Sequence, residues 1–246
     1  MLKRKRYQNR LWIDLCSSDF GHNEPLPIDP WVLGALIGNG DFSHLRFTTA
    51  SEFMINQIVN KLGPEYVINY AGKYDYGISR FDKCHKVGYW GTQPNPLRES
   101  LKELGLWGKK SEGKFIPDIY KTANRTVRLS ILQGLLDTDG WVEKSGAIRF
   151  SSCSKQLSND VVDLVRSLGG WAKVFIKTPF YTYLGQRKQG RLAYLVGIVH
   201  SNSRELFTLP KKKNRTIPVK QSRKMPVFSS IKPSREAEAQ CISVSH

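Results

Sequence analysis

Two stretches of this chain repeat one pattern, and this repetition constrains the possible folds more than any other feature. Residues 131–143 read ILQGLLDTDGWVE, and residues 31–43 read WVLGALIGNGDFS. Each predicts an apolar helix with a glycine in its middle and another at its end, where glycine commonly stops a helix. One copy alone would be an ordinary buried helix. Because the closing glycines, Gly40 and Gly140, lie 100 positions apart, the two copies indicate a duplicated architecture.

The starts and ends of the two helices carry residues that helix termini favour. Asp29 is an N-cap residue and Pro30 a first-turn proline for the first helix. We expect Thr126 to cap the second helix. The residues just before the closing glycines, Asn39 and Asp139, lie at the predicted helix ends.

The central glycines of the two helices, Gly34 and Gly134, predict a close contact between them. Without Cβ atoms, two helix backbones can approach each other closely. The polar residues at the two helix ends would then meet across this contact. Carboxylates held a few Å apart at the edge of a basic protein are typical of a divalent-cation site that acts on phosphate.

The strong positive charge of the chain narrows the range of its partners. Its 246 residues contain 38 Lys and Arg against 21 Asp and Glu, which gives a formal net charge of +17. So much like charge opposes a compact fold unless a polyanion uses it. Nucleic acid is the first candidate, and a purely solubilising surface is the alternative. An anionic membrane is not favoured, because the sequence has no basic amphipathic helix and no long apolar run.

Cysteine and histidine usage argues against a zinc hydrolase and against a disulfide scaffold. The four cysteines are far apart, and the five histidines form no HxxxH or HExxH pattern. Reduced thiols fit the cytoplasm, so we expect an intracellular, DNA-associated protein. The first ten residues are basic but lack the apolar region of a signal peptide.

Periodic and alternating patterns predict the same order of elements in both halves. For the first half they predict the motif helix at 30–39, a strand at 42–50, a helix at 51–63, strands within 66–83 and a helix at 97–106. For the second half they predict the motif helix at about 126–139, a strand at 147–153, a helix at 155–169, strands at 171–177 and 191–199, and a short helix at 201–209. A basic and aromatic linker, residues 178–191, joins the last two strands.

Short sequence matches strengthen the parallel between the halves. Residues 46–51 read RFTTAS, and residues 149–154 read RFSSCS at the corresponding place. We therefore divide the chain into a lead-in at 1–28, a first half at 29–124, a second half at 125–225 and a tail at 226–246.

The two motifs resemble those of the LAGLIDADG homing endonucleases, and more closely those of the intein-encoded branch. The second copy matches the nine-residue motif at nearly every position. The first is similar to a Leu-Gly-x-x-x-Gly-Asp-Gly variant but has Asn39 where that variant has an acid. Other segments resemble the family too, namely 25–30, 114–140, 149–170 and, as the start of an intein C-terminal splicing block, 240–246. Both splice-junction chemistries are missing from this chain, so the resemblance does not extend to protein splicing.

The resemblance implies an α+β fold with two pseudo-symmetric α-β-β-α-β-β-α repeats, which form a DNA-binding saddle around the two packed motif helices. It implies a monomeric, site-specific endonuclease that hydrolyses both strands of a long, asymmetric DNA target, read in the major groove. The expected cofactor is Mg²⁺, or Mn²⁺, with Ca²⁺ as a non-catalytic substitute. No membrane and no obligatory protein partner are expected.

The same resemblance implies the roles of individual residues. The catalytic set is Asp139, Asn39, Lys114 and Lys212, and the metal set is Asp139, Asn39, Gly38 and Thr138. Since a neutral amide is a poorer ligand for Mg²⁺ than a carboxylate, Asn39 should weaken or abolish cleavage. Asp137, the other acid of the second motif, has a packing or capping role in the interpretation that we prefer.

Basic side chains on the strands and near the second lysine are the candidates for contact with DNA. Arg and Lys can donate to guanine in the major groove or to phosphate oxygens. The candidates are Arg46, Arg80, Arg149, Lys173, Lys177, Arg187, Lys188, Lys211 and Lys213.

Two other functions remain open at this point. One is a DNA-binding protein of the same fold that has lost its chemistry through Asn39. The other is an RNA maturase, a class that the LAGLIDADG family also contains; the intein-like flanking segments argue against it.

Overall fold

A computed structural model describes residues 19–81, 94–217 and 238 of the chain. The first two of these ranges belong to one unit, Cys16–Ser222. Most of the predicted lead-in at 1–28 and all but one residue of the predicted tail at 226–246 lie outside the described residues. In the part that the structure describes, no helix is long and apolar enough to cross a membrane.

In residues 19–81 and 94–103, which the structure describes, the first half has seven regular elements around one antiparallel sheet. They are α1 (Pro30–Asn39), β1 (Gly40–Asp41), β2 (Arg46–Thr48), α2 (Glu52–Leu62), β3 (Tyr66–Gly72), β4 (Asp75–Arg80) and α3 (Pro96–Glu103). The strand order in the sheet is β1-β2-β4-β3, and every neighbouring pair is antiparallel.

The second half repeats this order after a short connection. The connection contains a 3₁₀ turn (Ser111–Gly113) and α4 (Asp118–Lys121). The second half contains α5 (Arg125–Asp139), β5 (Gly140–Val142), β6 (Ile148–Ser152), α6 (Lys155–Ser167), β7 (Trp171–Lys177), β8 (Phe180–Tyr183), β9 (Gln186–Gln189), β10 (Ala193–Val199), a 3₁₀ turn (Ser203–Leu206) and α7 (Pro210–Lys213). Its main sheet has the order β5-β6-β10-β7, which matches the first sheet strand for strand.

The structure therefore confirms the α+β class and the twofold α-β-β-α-β-β-α order. It also contains short elements that the sequence patterns did not predict, among them β5, α4 and α7, and one larger addition. The linker 178–191 contains a separate two-stranded hairpin, β8–β9, inserted between β7 and β10.

The motif helices α1 and α5 pack directly against each other, and their contact is called the seam below. A Cβ on Gly34 would lie 2.2 Å from the carbonyl oxygen of Ile131, and a Cβ on Gly134 would lie 2.1 Å from that of Trp31. Real Cβ atoms do not approach so closely, so at this helix separation only glycine fits both positions. Residues 31–37 are all buried, because α1 contacts α5 on one side and its own sheet on another.

The outer helices α2 and α6 cover the sheets with one apolar face each. Met54 and Ile58 are the buried residues of α2, and α6 buries Leu157, Val161, Leu164 and Val165 among others. The 3.6-residue spacing of the α6 side chains is the pattern that predicts that helix, whereas Val59, one of the apolar residues that predict α2, is exposed. One hydrophobic core runs through both halves and the seam.

The predicted cap of the second motif helix was wrong by two residues. The N-cap of α5 is Asn124, whose side-chain oxygen accepts a hydrogen bond from the amide of Val127 at 3.0 Å. Thr126 is exposed and lies inside the first turn. Asn is among the strongest N-cap residues, and the carboxylate of Asp19 accepts from the amide of Arg125 at 2.9 Å, which satisfies a further donor of this turn.

Candidate functional site

The two motif helices end side by side. A Cβ on Gly38 would lie 2.0 Å from Oγ1 of Thr138 and 3.5 Å from Oδ2 of Asp139. The carboxylate of Asp139 therefore lies against the last turn of α1. Gly40 and Gly140 close the two helices in the same way, each donating its amide hydrogen to the carbonyl four residues earlier. The seam thus brings the ends of the two repeated motifs together.

Asp139 is a half-buried carboxylate that lies between two lysines. Its burial raises its pKa, whereas the positive charges of Lys114 and Lys212 act to lower it. Within the described ranges, no group of three or more His, Cys, Asp or Glu residues could hold a metal ion by itself. Any cation at this site would take most of its ligands from elsewhere.

Lys114 is buried and caps the C-terminal end of α1. Its Nζ donates hydrogen bonds to the carbonyl oxygens of Gly38 at 3.2 Å and Gly40 at 2.7 Å. Burial lowers the pKa of Lys114 to about 8, although the charges of Asp139 and Asp41 oppose this shift. The ammonium group lies where the partial negative charge of the helix end is concentrated.

The backbone around Lys114 is held by the second half of the molecule. The hydroxyl of Ser154 donates to the carbonyl oxygen of Lys114 at 2.7 Å. The carboxylate of Asp160 accepts from the amide of Ile116 at 2.9 Å. Ser154 is also the N-cap of α6, and both Ser154 and Asp160 are buried. A lysine that acts at the end of α1 is therefore positioned by α6.

Lys212 performs the equivalent contact at the end of α5. Its Nζ donates to the carbonyl oxygens of Leu136 at 2.9 Å, Asp137 at 2.7 Å and Thr138 at 3.0 Å. Burial lowers its pKa to about 8 as well, against the charges of Asp137 and Asp139. Of the three adjacent lysines in α7, Lys212 is the one whose ammonium group reaches the motif helix in this way.

Asp137 explains how the segment before Lys212 is positioned. It is buried, and its carboxylate accepts hydrogen bonds from the indole nitrogen of Trp31 at 3.0 Å and the amide of Leu209 at 3.0 Å, as well as from the hydroxyl and amide of Thr208. Burial raises its pKa, and these hydrogen bonds oppose that effect. The packing role predicted for Asp137 is thus the one that the structure shows.

This arrangement can be compared with known proteins. Residues 126–208, which run from α5 through the 3₁₀ turn before α7, match the family model described as "LAGLIDADG-like domain". The second half of the chain therefore contains a LAGLIDADG-like domain. The first half, which this match does not cover, has the same element order and strand order as the second half.

One curated relative is the replicative DNA helicase DnaB of Mycobacterium intracellulare. It is 26% identical over 221 residues, which cover 88% of this chain and 32% of the helicase. The chain therefore spans about a third of the length of this relative.

Solved structures of the homing endonuclease I-DmoI are also similar to this chain. One, of mesophilic variants of that enzyme, has a TM-score of 0.44 and 16% identity, and covers 73% of this chain and 92% of I-DmoI. Another, of I-DmoI in complex with DNA and Ca, has a TM-score of 0.46 and 14% identity, with coverages of 76% and 95%.

The LAGLIDADG motif ends border two different cavities. Asn39 lines a cavity of about 890 Å³ together with Thr138, Trp141 and Lys212. Asp139 lines a smaller cavity of about 260 Å³ together with Gly38 and Lys114. The carbonyl oxygens of Gly38 and Thr138, two members of the metal set expected from the sequence, already accept hydrogen bonds from Lys114 and Lys212.

Asp41 is a polar residue near this site that the predicted set did not include. Its side chain is exposed and accepts hydrogen bonds from the amide of Ser43 at 2.8 Å and from Nδ1 of His44 at 2.9 Å. Burial raises the pKa of Asp41, but the hydrogen bonds and charge of His44 outweigh it and the net shift is downward. Asp41 could have been selected from the sequence, because it directly follows the closing Gly40.

Both sheets carry the same solvent-facing row of residues next to the motif helices. Paired positions across neighbouring strands share one face of a sheet. In the first sheet the row is Asp41, Arg46, Gly77 and Asn69. In the second sheet the equivalent row is Trp141, Arg149, Gly197 and Lys173. Arg46 and Arg149 are therefore equivalent residues of the two repeats.

The DNA-contact candidates do not all lie on this face. Lys177 shares the face of Lys173, since the two are four residues apart in β7. Arg149 is half-buried, and its Nε donates to the carboxylate of Glu143 at 3.1 Å. Arg80 is exposed but lies two residues after the buried Ile78, so it belongs to the opposite face of its sheet.

The remaining basic candidates lie away from both rows. Arg187 and Lys188 are exposed on the β8–β9 hairpin. Lys211 and Lys213 flank Lys212 in α7, where Lys211 is exposed and Lys213 is half-buried.

Proposed function

We propose that this protein is a site-specific DNA endonuclease of the LAGLIDADG type, weakened in cleavage by Asn39. The observation that carries the proposal is the position of Asp139. It lies at the seam between two repeated motif ends, where the positive charges of the buried Lys114 and the half-buried Lys212 act on it. This site combines a carboxylate with two positive charges, which can stabilise the negative charge that develops when a phosphodiester is hydrolysed.

Double-stranded DNA is the substrate class that the surface supports. The net charge of +17 favours a polyanion, and the two equivalent rows present Arg46 and Arg149 at the same place on each sheet. A pair of pseudo-symmetric sheets suits the two half-sites of a duplex, and Arg can donate two hydrogen bonds to guanine in the major groove. We infer a monomer with both half-sites in one chain, reading a long and asymmetric target in the cytoplasm.

We infer that a divalent cation would be held beside Asp139, with DNA and water supplying most of its ligands. Mg²⁺ is commonly held by one or two carboxylates, with water and phosphate oxygens as its other ligands. Asp139 would supply the carboxylate and Asn39 an amide oxygen. When bound, such an ion polarises the scissile phosphate and lowers the pKa of a bound water. Mn²⁺ would serve as well, and Ca²⁺ would support binding without cleavage.

Lys114 and Lys212 provide positive charge at the site independently of any metal ion. The ammonium groups of Lys114 and Lys212 are fixed by carbonyl oxygens at the helix ends, within reach of the charge of Asp139. In this place they would stabilise the additional negative charge that develops on the phosphate during attack by water. Asp137, Ser154 and Asp160 hold the segments that carry them.

Asn39 lowers the negative charge of the site by one relative to a pair of acids. With a single carboxylate beside two lysines, the site attracts a divalent cation less strongly. We therefore infer that the chain binds its target and cuts slowly, or nicks one strand. The second candidate function, a DNA-binding protein without chemistry, rests on the same residue.

We further infer that the chain derives from an intein. Its match to DnaB covers only 32% of the helicase, and residues 240–246 resemble the start of an intein splicing block. A segment of endonuclease type within a longer replication protein is the arrangement that an intein insertion produces.

Selection from a random duplex pool tests the proposal without knowledge of the target. The protein would be mixed with duplexes carrying a randomised central region in Ca²⁺, and the retained duplexes would be cloned into a plasmid. We expect one enriched sequence, and slow nicking or linearisation of its supercoiled plasmid in Mg²⁺ or Mn²⁺. Enrichment of no sequence would refute the site-specific function. Enrichment without any cut in either ion would favour the inactive DNA-binding protein.

A further inference from the structure

The two halves differ in the connection that follows β3 in the first sheet and β7 in the second. In the first half, the paired residues Gly72 and Asp75 end β3 and begin β4, with only Lys73 and Tyr74 between them. In the second half, the equivalent pair is Lys177 and Ala193, the ends of β7 and β10. Residues 178–192, called the arm below, are enclosed between them. Their chain folds into the β8–β9 hairpin rather than a tight turn.

Both faces of the arm are open to solvent. All eight residues of β8 and β9 are exposed. The pairing Phe180↔Gln189 and Thr182↔Arg187 defines one face, and Tyr181↔Lys188 and Tyr183↔Gln186 define the other. Each face carries a basic group over an aromatic ring: the Arg187 guanidinium is 4.5 Å from the ring centre of Phe180, and the Lys188 Nζ is 4.8 Å from that of Tyr183.

The arm and its supporting strands are free of acidic residues. Between positions 171 and 204 the sequence contains no Asp or Glu, and its basic residues are Lys173, Lys177, Arg187, Lys188, Arg191 and Arg204. Arg191 contacts Glu112 at 3.4 Å, and that pair is largely exposed. An exposed two-stranded hairpin is marginally stable alone. A surface with this charge and with exposed aromatic rings is complementary to a polyanion.

The turn at the tip of the arm places a leucine in a backbone conformation that leucine disfavours. Leu184 has φ of 50° and Gly185 has φ of 74°, so both central turn residues are left-handed. Such a turn favours Asn or Asp before glycine, because a leucine side chain is strained at positive φ. Leu184 is also 85% exposed, so burial in this chain does not offset the strain. An apolar residue kept at a strained, exposed tip suits insertion into a DNA groove.

We propose that the arm is an accessory element that binds double-stranded DNA outside the segment contacted by the two main sheets, on the side of the second half. Arg187 and Lys188 contact phosphates, and Leu184 enters the groove as an apolar tip. The first half has only Lys73 and Tyr74 at the equivalent connection, so the contact is one-sided. This inference rests on the proposed DNA-binding function.

An arm-free protein can be designed from the short connection between β3 and β4 in the first half. Residues 178–192 would be replaced by Lys-Tyr, the two residues that close the equivalent strands β3 and β4. A second variant, Arg187→Gln with Lys188→Gln, keeps the hairpin and removes two charges. Both would be compared with the parent chain by thermal melting, so that any loss of folding is recognised before binding is measured.

Binding would be measured on a 60-bp mixed-sequence duplex and a 60-nucleotide single strand over a series of salt concentrations. Each phosphate contact contributes about 0.9 to the slope of log affinity against log salt. We expect the double variant to reduce the duplex slope by about 1 to 2, and the arm-free protein to reduce it by about 2 to 3. Unchanged slopes and affinities in a folded arm-free protein would overturn the inference. A loss confined to the single strand would overturn it as well.

The tip is tested separately by Leu184→Asn. Asn is better suited to the left-handed backbone, so this variant should melt at the same or a higher temperature than the parent. It should nevertheless bind the duplex roughly threefold to tenfold more weakly, the effect of losing one apolar contact, with the salt slope unchanged. Equal affinity would exclude a groove contact by Leu184. If the parent chain itself failed to bind duplex DNA, the proposed function would fail; if only the arm variants matched the parent, this inference alone would fail.

Discussion

The indole nitrogen of Trp31 donates a hydrogen bond to the carboxylate of Asp137 at 3.0 Å, across the seam between the two motif helices. The same carboxylate accepts hydrogen bonds from Thr208 and Leu209, which precede Lys212 in the chain. One buried acid therefore connects α1, α5 and the segment that carries a lysine of the candidate site. In the first motif the equivalent position is Ile37, and Ser154 and Asp160 hold Lys114 instead.

Asp137→Asn should destabilise the protein by about 2 kcal/mol or more. An amide in place of one carboxylate oxygen presents N–H groups to the N–H and O–H donors of Trp31, Thr208 and Leu209, which leaves buried donors unpaired. The free energy of unfolding, measured in urea, gives the size of the effect. Asp163→Asn is the matched control, because this carboxylate is exposed on α6, and it should leave the stability unchanged. An Asp137→Asn protein as stable as the parent would mean that this carboxylate does not organise the seam.

Gly134→Ala should prevent the two motif helices from packing at their observed distance. Its Cβ would lie 2.1 Å from the carbonyl oxygen of Trp31, and overpacking of this kind costs roughly 1–3 kcal/mol or more. Larger residues such as leucine at Gly34 or Gly134 should unfold or aggregate the chain. Gly113→Ala is a control, since its Cβ would meet only the flexible side chain of Lys109. Thermal melting of both alanine variants distinguishes the seam from a general intolerance of substitution.

Burial of Lys114 predicts a particular pH dependence of stability. Its pKa is lowered to about 8 in the folded protein, against about 10.4 in an unfolded chain. Between these values the unfolded state binds more protons, so stability should rise as the pH rises through this window. The rise is worth roughly 3 kcal/mol over the whole window.

Lys114→Met should remove that contribution. Urea unfolding of the parent and the variant at about pH 7.5 and pH 9.5 would measure the difference between their pH slopes. The exposed Lys109→Met variant should keep the slope of the parent. If Lys114→Met kept it too, the ammonium group of Lys114 would not be desolvated at the end of α1.

Two arginines of the first half test which face of the sheets contacts DNA in the proposed function. Arg46 lies in the solvent-facing row beside β1, whereas Arg80 lies on the opposite face of the same sheet. Arg46→Gln should lower the slope of log affinity against log salt by about 0.9, and Arg80→Gln should leave it unchanged. A duplex titration over several salt concentrations measures both. Equal losses for the two variants would show that DNA does not distinguish these faces.

Most of the element order could be predicted from the sequence, because apolar periodicity and the repeated glycines act locally. The bounds of β7 were predicted without error, and those of α6 within two residues. The β8–β9 hairpin was missed because all residues of both strands are exposed, so neither strand shows the alternation of apolar and polar residues that a buried face produces. The cap at Asn124 accepts from Val127 in the helix, and it was missed because its other contacts are with the distant residues His22 and Asn23.

The contacts that position the two lysines of the candidate site could not be predicted from the sequence. The position of Lys212 near the end of α5 follows from contacts made by Asp137, and no local pattern distinguishes it from Lys211 and Lys213. The support of Lys114 by Ser154 and Asp160 crosses 40 and more positions of sequence. Contacts of this kind depend on the tertiary fold, and the spacing of residues in the sequence does not predict them.

The central claim is that Asp139 needs an acid at position 39 for full cleavage of DNA. Supercoiled plasmid carrying the selected target would be cut in parallel by the parent chain, Asn39→Asp and Asp139→Asn, in Mg²⁺, with binding verified in Ca²⁺. We predict slow nicking by the parent and no cleavage by Asp139→Asn. Asn39→Asp should cleave both strands at least tenfold faster than the parent, a rate difference that corresponds to a barrier lowered by about 1.4 kcal/mol. Rapid double-strand cleavage by the parent, unchanged by Asn39→Asp, would contradict the central claim.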